Sequence, residues 1–373
     1  MKKILMILVM LLLSGNNVYA LPENVQEMYD ASGAQEILSV DNSFFESNAP
    51  DKIIEKLSTG EGFAVSSVFD EIVAFLLKTL KRNVGLCFTV IATGYIVGLY
   101  SNIQSGVGGK GVSECGFIIS YCVFAGILTI AFSGISDTAL EITENLSVMV
   151  KSLMPILISL LITSGGVVSG SLLSSVLIGI ANVVLLVVEN LVAPLIYCSF
   201  GMSVAGNMSD KIRLTKSVSF LHKIIKWVLL FVMAAFGSLF GIYGLSGTTM
   251  DATTGKLVRF AIGSGVPLVG GIAADSFESV LATLVVSKNL IGVTGVVVIL
   301  VVLLGPVLET TVMMWIFRLC TVIMEPFSDG RIIRLLTDTS ECISMLFAVL
   351  ISVGLIFIGG VGVILVVGNF TMG

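Results

Sequence analysis

Residues 152–206 read "SLMPILISLLITSGGVVSGSLLSSVLIGIANVVLLVVENLVAPLIYCSFGMSVAG" and contain one charged residue, Glu189. A crossing of a bilayer takes about 20 apolar residues, so this run is too long for a single pass and too apolar for a water-facing surface. Within hydrocarbon every backbone N–H and C=O must find a partner inside the chain, which leaves the helix as the spanning unit here. The whole sequence agrees: its 373 residues are 55% hydrophobic and 12% charged, with a mean hydropathy of +1.04, against about 25% charged residues in a soluble domain. The sequence predicts an all-α, polytopic integral membrane protein of about seven spanning helices, with additional broken or re-entrant segments.

The run ends at a basic loop. Between Asn207 and Lys226 stand Lys211, Arg213, Lys216, Lys223 and Lys226 against one acid, Asp210, and such a bias marks the cytoplasmic side. Residues 152–206 must then cross an odd number of times. Pro155 and the glycines at Ser164 to Gly166 interrupt the apolar pattern, and either three short crossings or a re-entrant hairpin plus one full crossing satisfies the parity. Leu214, Val218, Leu221 and Ile225 form an apolar stripe in the basic loop and predict an amphipathic helix on the inner surface. Further spans are predicted at about 84–101, 116–135, 227–246, 290–308 and 343–368, with "SDTALEITENLSVMVK" (136–151) as a polar helix outside.

The first twenty residues pair Lys2 and Lys3 with a short apolar core from Ile4 to Leu13 and close on Val18-Tyr19-Ala20. This is the pattern of a secretory signal peptide cleaved after Ala20. Residues 21–82 follow as an extracytoplasmic polar and amphipathic segment with eleven acids and five bases. Val65, Val68, Phe69, Ile72, Val73, Leu76 and Leu80 recur at helical spacing and predict a helix along the outer interface. Residues 83–373 form the multi-span domain. The six cysteines are dispersed and propose no disulfide framework.

Chemistry-bearing residues are few. His222 is the only histidine, which argues against multi-histidine metal sites and makes a Ser-His-acid triad a strained reading; on the basic helix it reads as an interfacial residue. Gly94 and Gly98, Gly166 and Gly170, and Gly237 and Gly241 have the spacing that lets helices approach closely. Glu189, beside Asn190 and ahead of Pro194, reads as an interface marker. The stretch "GSGVPLVGGIAADSFESV" (263–280) differs in kind: glycines and Pro267 break an apolar run, and Asp275 and Glu278 follow at a spacing of three, on one face of a helix. Charges at membrane depth point to function, so Asp275, Glu278 and Lys288, with the break at Pro267 and Gly270, are candidate pathway or docking residues. A broken segment also precedes "SVLIGIANVVLLVVENL" as one precedes "SVLATLVVSKNL", the paired arrangement seen in transporters.

The stretches "LMPILISLLITSGG" (153–166), "RFAIGSGVPLVGGIAAD" (259–275), "LVVSKNLIGVTGV" (284–296), "EPFSDGRI" (325–332) and "VGNFT" (367–371) resemble the stage III sporulation protein AE family. The match includes Pro267, Gly270, Asp275, Lys288 and Asn289 and departs at "EPFSDG". The resemblance implies a non-enzymatic membrane subunit of the sporulation channel or secretion-like complex linking mother cell and forespore. It would sit in the mother-cell membrane facing the forespore, act with other membrane proteins of the same complex, and be needed for late forespore development. It implies no cofactor, no metal and no nucleic-acid partner beyond the lipid bilayer and those proteins. The alternatives are a secondary permease with its pathway near residues 263–290, or a non-conducting membrane scaffold.

Overall fold

The computed structural model describes residues 65–107, 110–209, 214–265 and 270–367, and the side chains of 73–100, 114–209, 214–242, 283–289 and 291–367. The predicted signal segment and its cleavage position after Ala20 lie outside the described residues. The chain divides into two units, residues 1–75 and 76–373. The described part of the first is the helical run 65–75, and the packed helices belong to the second.

All regular structure among the described residues is helical. The elements are α1 (Val65–Val107), α2 (Lys110–Thr163), α3 (Val167–Val187), a π-helical turn (Val188–Val192), α4 (Ala193–Asn207), α5 (Thr215–Gly265), α6 (Gly270–Met324) and α7 (Gly330–Val367). Among the described residues, six stretches are long and apolar enough to cross a membrane: Val73–Tyr100, Glu114–Thr163, Val167–Asn207, Thr215–Ile242, Thr283–Met324 and Gly330–Val367.

The helices are longer than the hydropathy pattern suggests. At about 1.5 Å per residue, the 54 residues of α2 extend well beyond a hydrocarbon layer of about 30 Å. The polar stretch 136–151 is not a separate outer helix but the middle of α2, and the predicted interfacial helix from Val65 continues without a break into the first span as α1. Pro155 does not end α2. It removes one intrahelical donor, but ending the helix in an apolar setting would leave several backbone groups unpaired.

The reversal comes instead at Ser164–Gly166. Gly166 N–H bonds Leu161 O at 2.9 Å and Gly165 N–H bonds Ile162 O at 3.1 Å, and Gly165 has φ +100°. This is the glycine-terminated helix end whose left-handed residue strongly favours glycine. The run 152–206 is thus neither three short crossings nor a re-entrant hairpin plus a crossing. It is the tip of one long antiparallel hairpin and a single returning helix. Near the tip Gly170 abuts Ile162; lower down, Phe132 and Phe200 stack with centroids 4.3 Å apart.

The returning helix carries one defect. Pro194 has no N–H to offer Asn190, and the ladder slips by a residue, with Ala193 N–H bonding Val188 O. Such single π turns lie frequently at functional sites; here the turn leaves Glu189 and Asn190 exposed.

α7 is the axis of the bundle and packs against α2, α3, α4, α5 and α6. Leu335, Leu336, Leu350 and Val361 are fully buried along it. The ends of several elements gather at one end of the bundle, the basic end: Leu214 lies against Gly206 and Gly98 against Phe327 and Ser328, Tyr121 donates to Val204 O at 2.7 Å, and the Arg331 guanidinium covers the Phe117 ring at 3.4 Å. There α5 begins at Thr215, and its apolar stripe is not laid on a membrane surface: Val218 and Ile225 are buried in the bundle.

Candidate functional site

Near the basic end, three helices enclose a polar seam. On α4, Ser199, Ser203 and Asn207 are four residues apart and so share one face. On α7, Arg334, Asp338, Glu341 and Cys342 recur at the same helical spacing and face them. Ser203 Oγ donates to Asp338 Oδ2 at 2.6 Å, Asn207 Nδ2 donates to the same oxygen at 3.1 Å, and Arg334 Nε donates to Asn207 Oδ1 at 3.2 Å.

α5 contributes His222. Its Nε2 lies 2.7 Å from Ser199 Oγ and its Nδ1 lies 3.0 Å from Glu341 Oε2. Cys342 Sγ sits 3.6 Å from Nε2. An ionised carboxylate only accepts, so Nδ1 carries a proton in this arrangement, whereas either Nε2 or the Ser199 hydroxyl can donate to the other. Ser199 is completely buried and His222 nearly so, while the Glu341 side chain is 54% exposed. The seam therefore opens to the surroundings at its acid and closes at its hydroxyl.

Placing such groups inside an apolar bundle is costly unless each is hydrogen-bonded, and here Ser199, Ser203, Asn207, His222 and Asp338 all have partners. The interfacial reading of His222 is corrected: the ring is in the core. The order Ser199–His222–Glu341 is that of a nucleophilic triad, but the hydroxyl is sealed and lies within a helix whose N–H groups are taken up by its own ladder. Among the described residues of the seam, no pair of free backbone donors stands ready for an oxyanion.

The predicted site lies elsewhere. Pro267 is outside the described residues. Gly270 opens α6, and Asp275 and Glu278 lie on that helix, with side chains outside the described set. Lys288 is fully buried, and its Nζ donates to Ile364 O and Leu365 O at 3.2 Å each. Those carbonyls belong to the last turn of α7, where intrahelical donors run out and a cation is favoured by the helix dipole. Asn289 is half-buried beside it. Gly292, a turn further on, approaches Leu365 closely. From Glu341 to Ile364 is roughly 35 Å along α7, so Lys288 and the seam are separate sites on one helix.

The seam escaped the sequence reading because its serines sit in an apolar run and its acids in "LLTDTSECIS" (335–344). The available signal was a Ser-x3-Ser-x3-Asn stripe together with acids three residues apart on another span. The three small-residue pairs divide. Gly94 and Gly98 lie under Met324 and Phe327, Gly166 and Gly170 serve the hairpin tip, and Gly237 and Gly241 face open space.

Comparison with known proteins adds the family. The family model for stage III sporulation protein AE matches residues 49–368. The stage III sporulation protein AE of Bacillus subtilis (strain 168) is 24% identical over 320 residues, covering 86% of this chain and 80% of that protein. No solved structure matches the chain. On the extent of the family match, the chain belongs to the stage III sporulation protein AE family.

Proposed function

We propose that this chain is a membrane subunit of a channel or secretion-like complex linking mother cell and forespore, required for late forespore development. In this reading it lies in the mother-cell membrane facing the forespore, with the basic end in the cytoplasm and residues 21–82 outside it. Starting outside before α1, the six crossings of the described residues leave the end of α7 outside as well.

The observation that carries the proposal is the family membership of a helical bundle whose described residues include six membrane-length apolar helices with wide uncovered apolar faces. On α5 alone Phe220, Trp227, Leu230 and Phe231 are exposed. Such faces suit lipid and, in a complex, neighbouring membrane proteins, whose contact in a bilayer is made by close packing. The candidate pathway or docking residues Pro267, Gly270, Asp275, Glu278, Lys288 and Asn289 belong to the same proposal.

The test is deletion of the gene in its own host, followed by complementation. The expected result is normal growth, loss of heat-resistant spores and failure of late forespore gene expression, restored by the intact gene. A permease acting alone predicts instead that the chain is active in cells that lack the partner proteins. A scaffold predicts that charge-removing changes along residues 263–290 leave sporulation unchanged.

A further inference from the structure

Two observations converge on His222. Both of its ring nitrogens are engaged, by groups from two different helices, and the two ends of that hydrogen-bonded chain differ in exposure, Glu341 being open and Ser199 sealed. In a nucleophilic triad the order is reversed, with the hydroxyl open to substrate and the acid buried. Here whatever reaches the ring from outside passes the carboxylate. The species that a carboxylate can hand to an imidazole is a proton.

We propose that Glu341, His222 and Ser199 form a proton-binding relay at the junction of α4, α5 and α7. Glu341 takes a proton from water and passes it to His222 Nδ1, so that the carboxyl loses the proton and the ring becomes imidazolium. In the loaded state Nδ1–H donates to the Glu341 carboxylate and Nε2–H donates to Ser199 Oγ, and one ring ties α5 to both neighbours. On unloading, the Nδ1 proton returns through Glu341 to water. The bare Nδ1 lone pair then faces a carboxylate it cannot bond, and the exposed Glu341 side chain turns to solvent. The tie from α5 to α4 persists through Nε2–H, and the tie to α7 is lost.

The groups that face the relay come from four helices. From α7 come Asp338, which lies within electrostatic reach of His222, and Cys342. Lys226 of α5 and Arg318 of α6 act on Glu341, and α4 contributes the uncharged Ser199. Histidine is the side chain whose charge changes in the physiological range, between about pH 5 and 8, and intramembrane acid–histidine chains are a recognised form of proton relay. The inference goes beyond the sporulation role and does not depend on it.

His222 being the only histidine, the experiment is direct. The full chain is prepared with ¹⁵N-labelled histidine in lipid nanodiscs, and the two ring-nitrogen signals are followed with pH. The expected result is reversible conversion from a ring protonated on both nitrogens to the neutral Nε2–H form as pH rises. In Glu341→Gln the pH dependence of the two ring-nitrogen signals shifts away from that of the native chain, with helical content unchanged by circular dichroism. A native ring that stays in one state from about pH 5 to 8 overturns the proposal without recourse to any variant. So does a titration indifferent to Glu341→Gln. Labelling of Ser199 by a fluorophosphonate, lost in Glu341→Gln, overturns it in favour of acyl-transfer chemistry.

Discussion

Ser203 Oγ donates to Asp338 Oδ2 across 2.6 Å, the shortest link between α4 and α7 in the seam, and Asn207 shares the same oxygen. One carboxylate oxygen of α7 thereby holds two successive turns of α4. Asp338→Ala leaves both donors buried without that acceptor and is expected to cost about 1–3 kcal/mol, read as a lowered thermal midpoint of the detergent-solubilised protein. Asp338→Asn is expected to cost less, because its amide oxygen still accepts from Ser203.

Gly98 supports the approach of α1 to the α6–α7 turn. A Cβ at this position would stand 2.6 Å from Phe327 O and 3.0 Å from Ser328 Cα, which are backbone atoms that cannot swing aside. Gly98→Ala is therefore expected to destabilise by about 1–3 kcal/mol. Gly241→Ala meets nothing within 4 Å and is expected to stabilise α5 by up to about 1 kcal/mol. Paired thermal melts distinguish the two positions.

Cys87 of α1 and Cys320 of α6 have their sulfurs 3.4 Å apart. Mild oxidation of the two thiols is expected to remove both from alkylation in the denatured protein, while Cys115, Cys122 and Cys198, all exposed, remain countable by mass spectrometry. Retention of all the thiols after oxidation would count against the packing of α1 on α6.

Lys288 and Asn289 are the members of the predicted site whose side chains the structure describes, and Lys288 carries the charge. Asp275→Asn combined with Lys288→Gln is expected to impair spore formation while the amount of protein in the membrane stays normal, measured by heat-resistant spore counts beside immunoblots. A buried cation held by two carbonyls is costly to keep for stability alone, which is why its removal should be felt in function more than in folding.

The helical membrane class is legible in the scarcity of charge and in the lone Glu189 of residues 152–206. The length of the helices is not, because hydropathy marks where a chain tolerates lipid and not where a helix ends. Polar residues 136–151 and Pro155 interrupt the apolar pattern without interrupting α2, whereas Gly165, with its positive φ, does end it. Lys288 is legible as a charge in an apolar run. The seam is not, since Ser199 and Ser203 become informative only when Asp338 and Glu341, far along the chain, are folded against them and their neighbour His222.

On the proposed function, this helical bundle works as a subunit of a larger membrane complex. The most direct measurement is purification of the tagged chain from its own host during engulfment, in mild detergent after brief cross-linking, with co-purifying proteins identified by mass spectrometry. The account predicts recovery of other membrane proteins of the sporulation complex in fixed proportion, absent from vegetative cells. Recovery of the chain by itself, from cells that are sporulating normally, would contradict it.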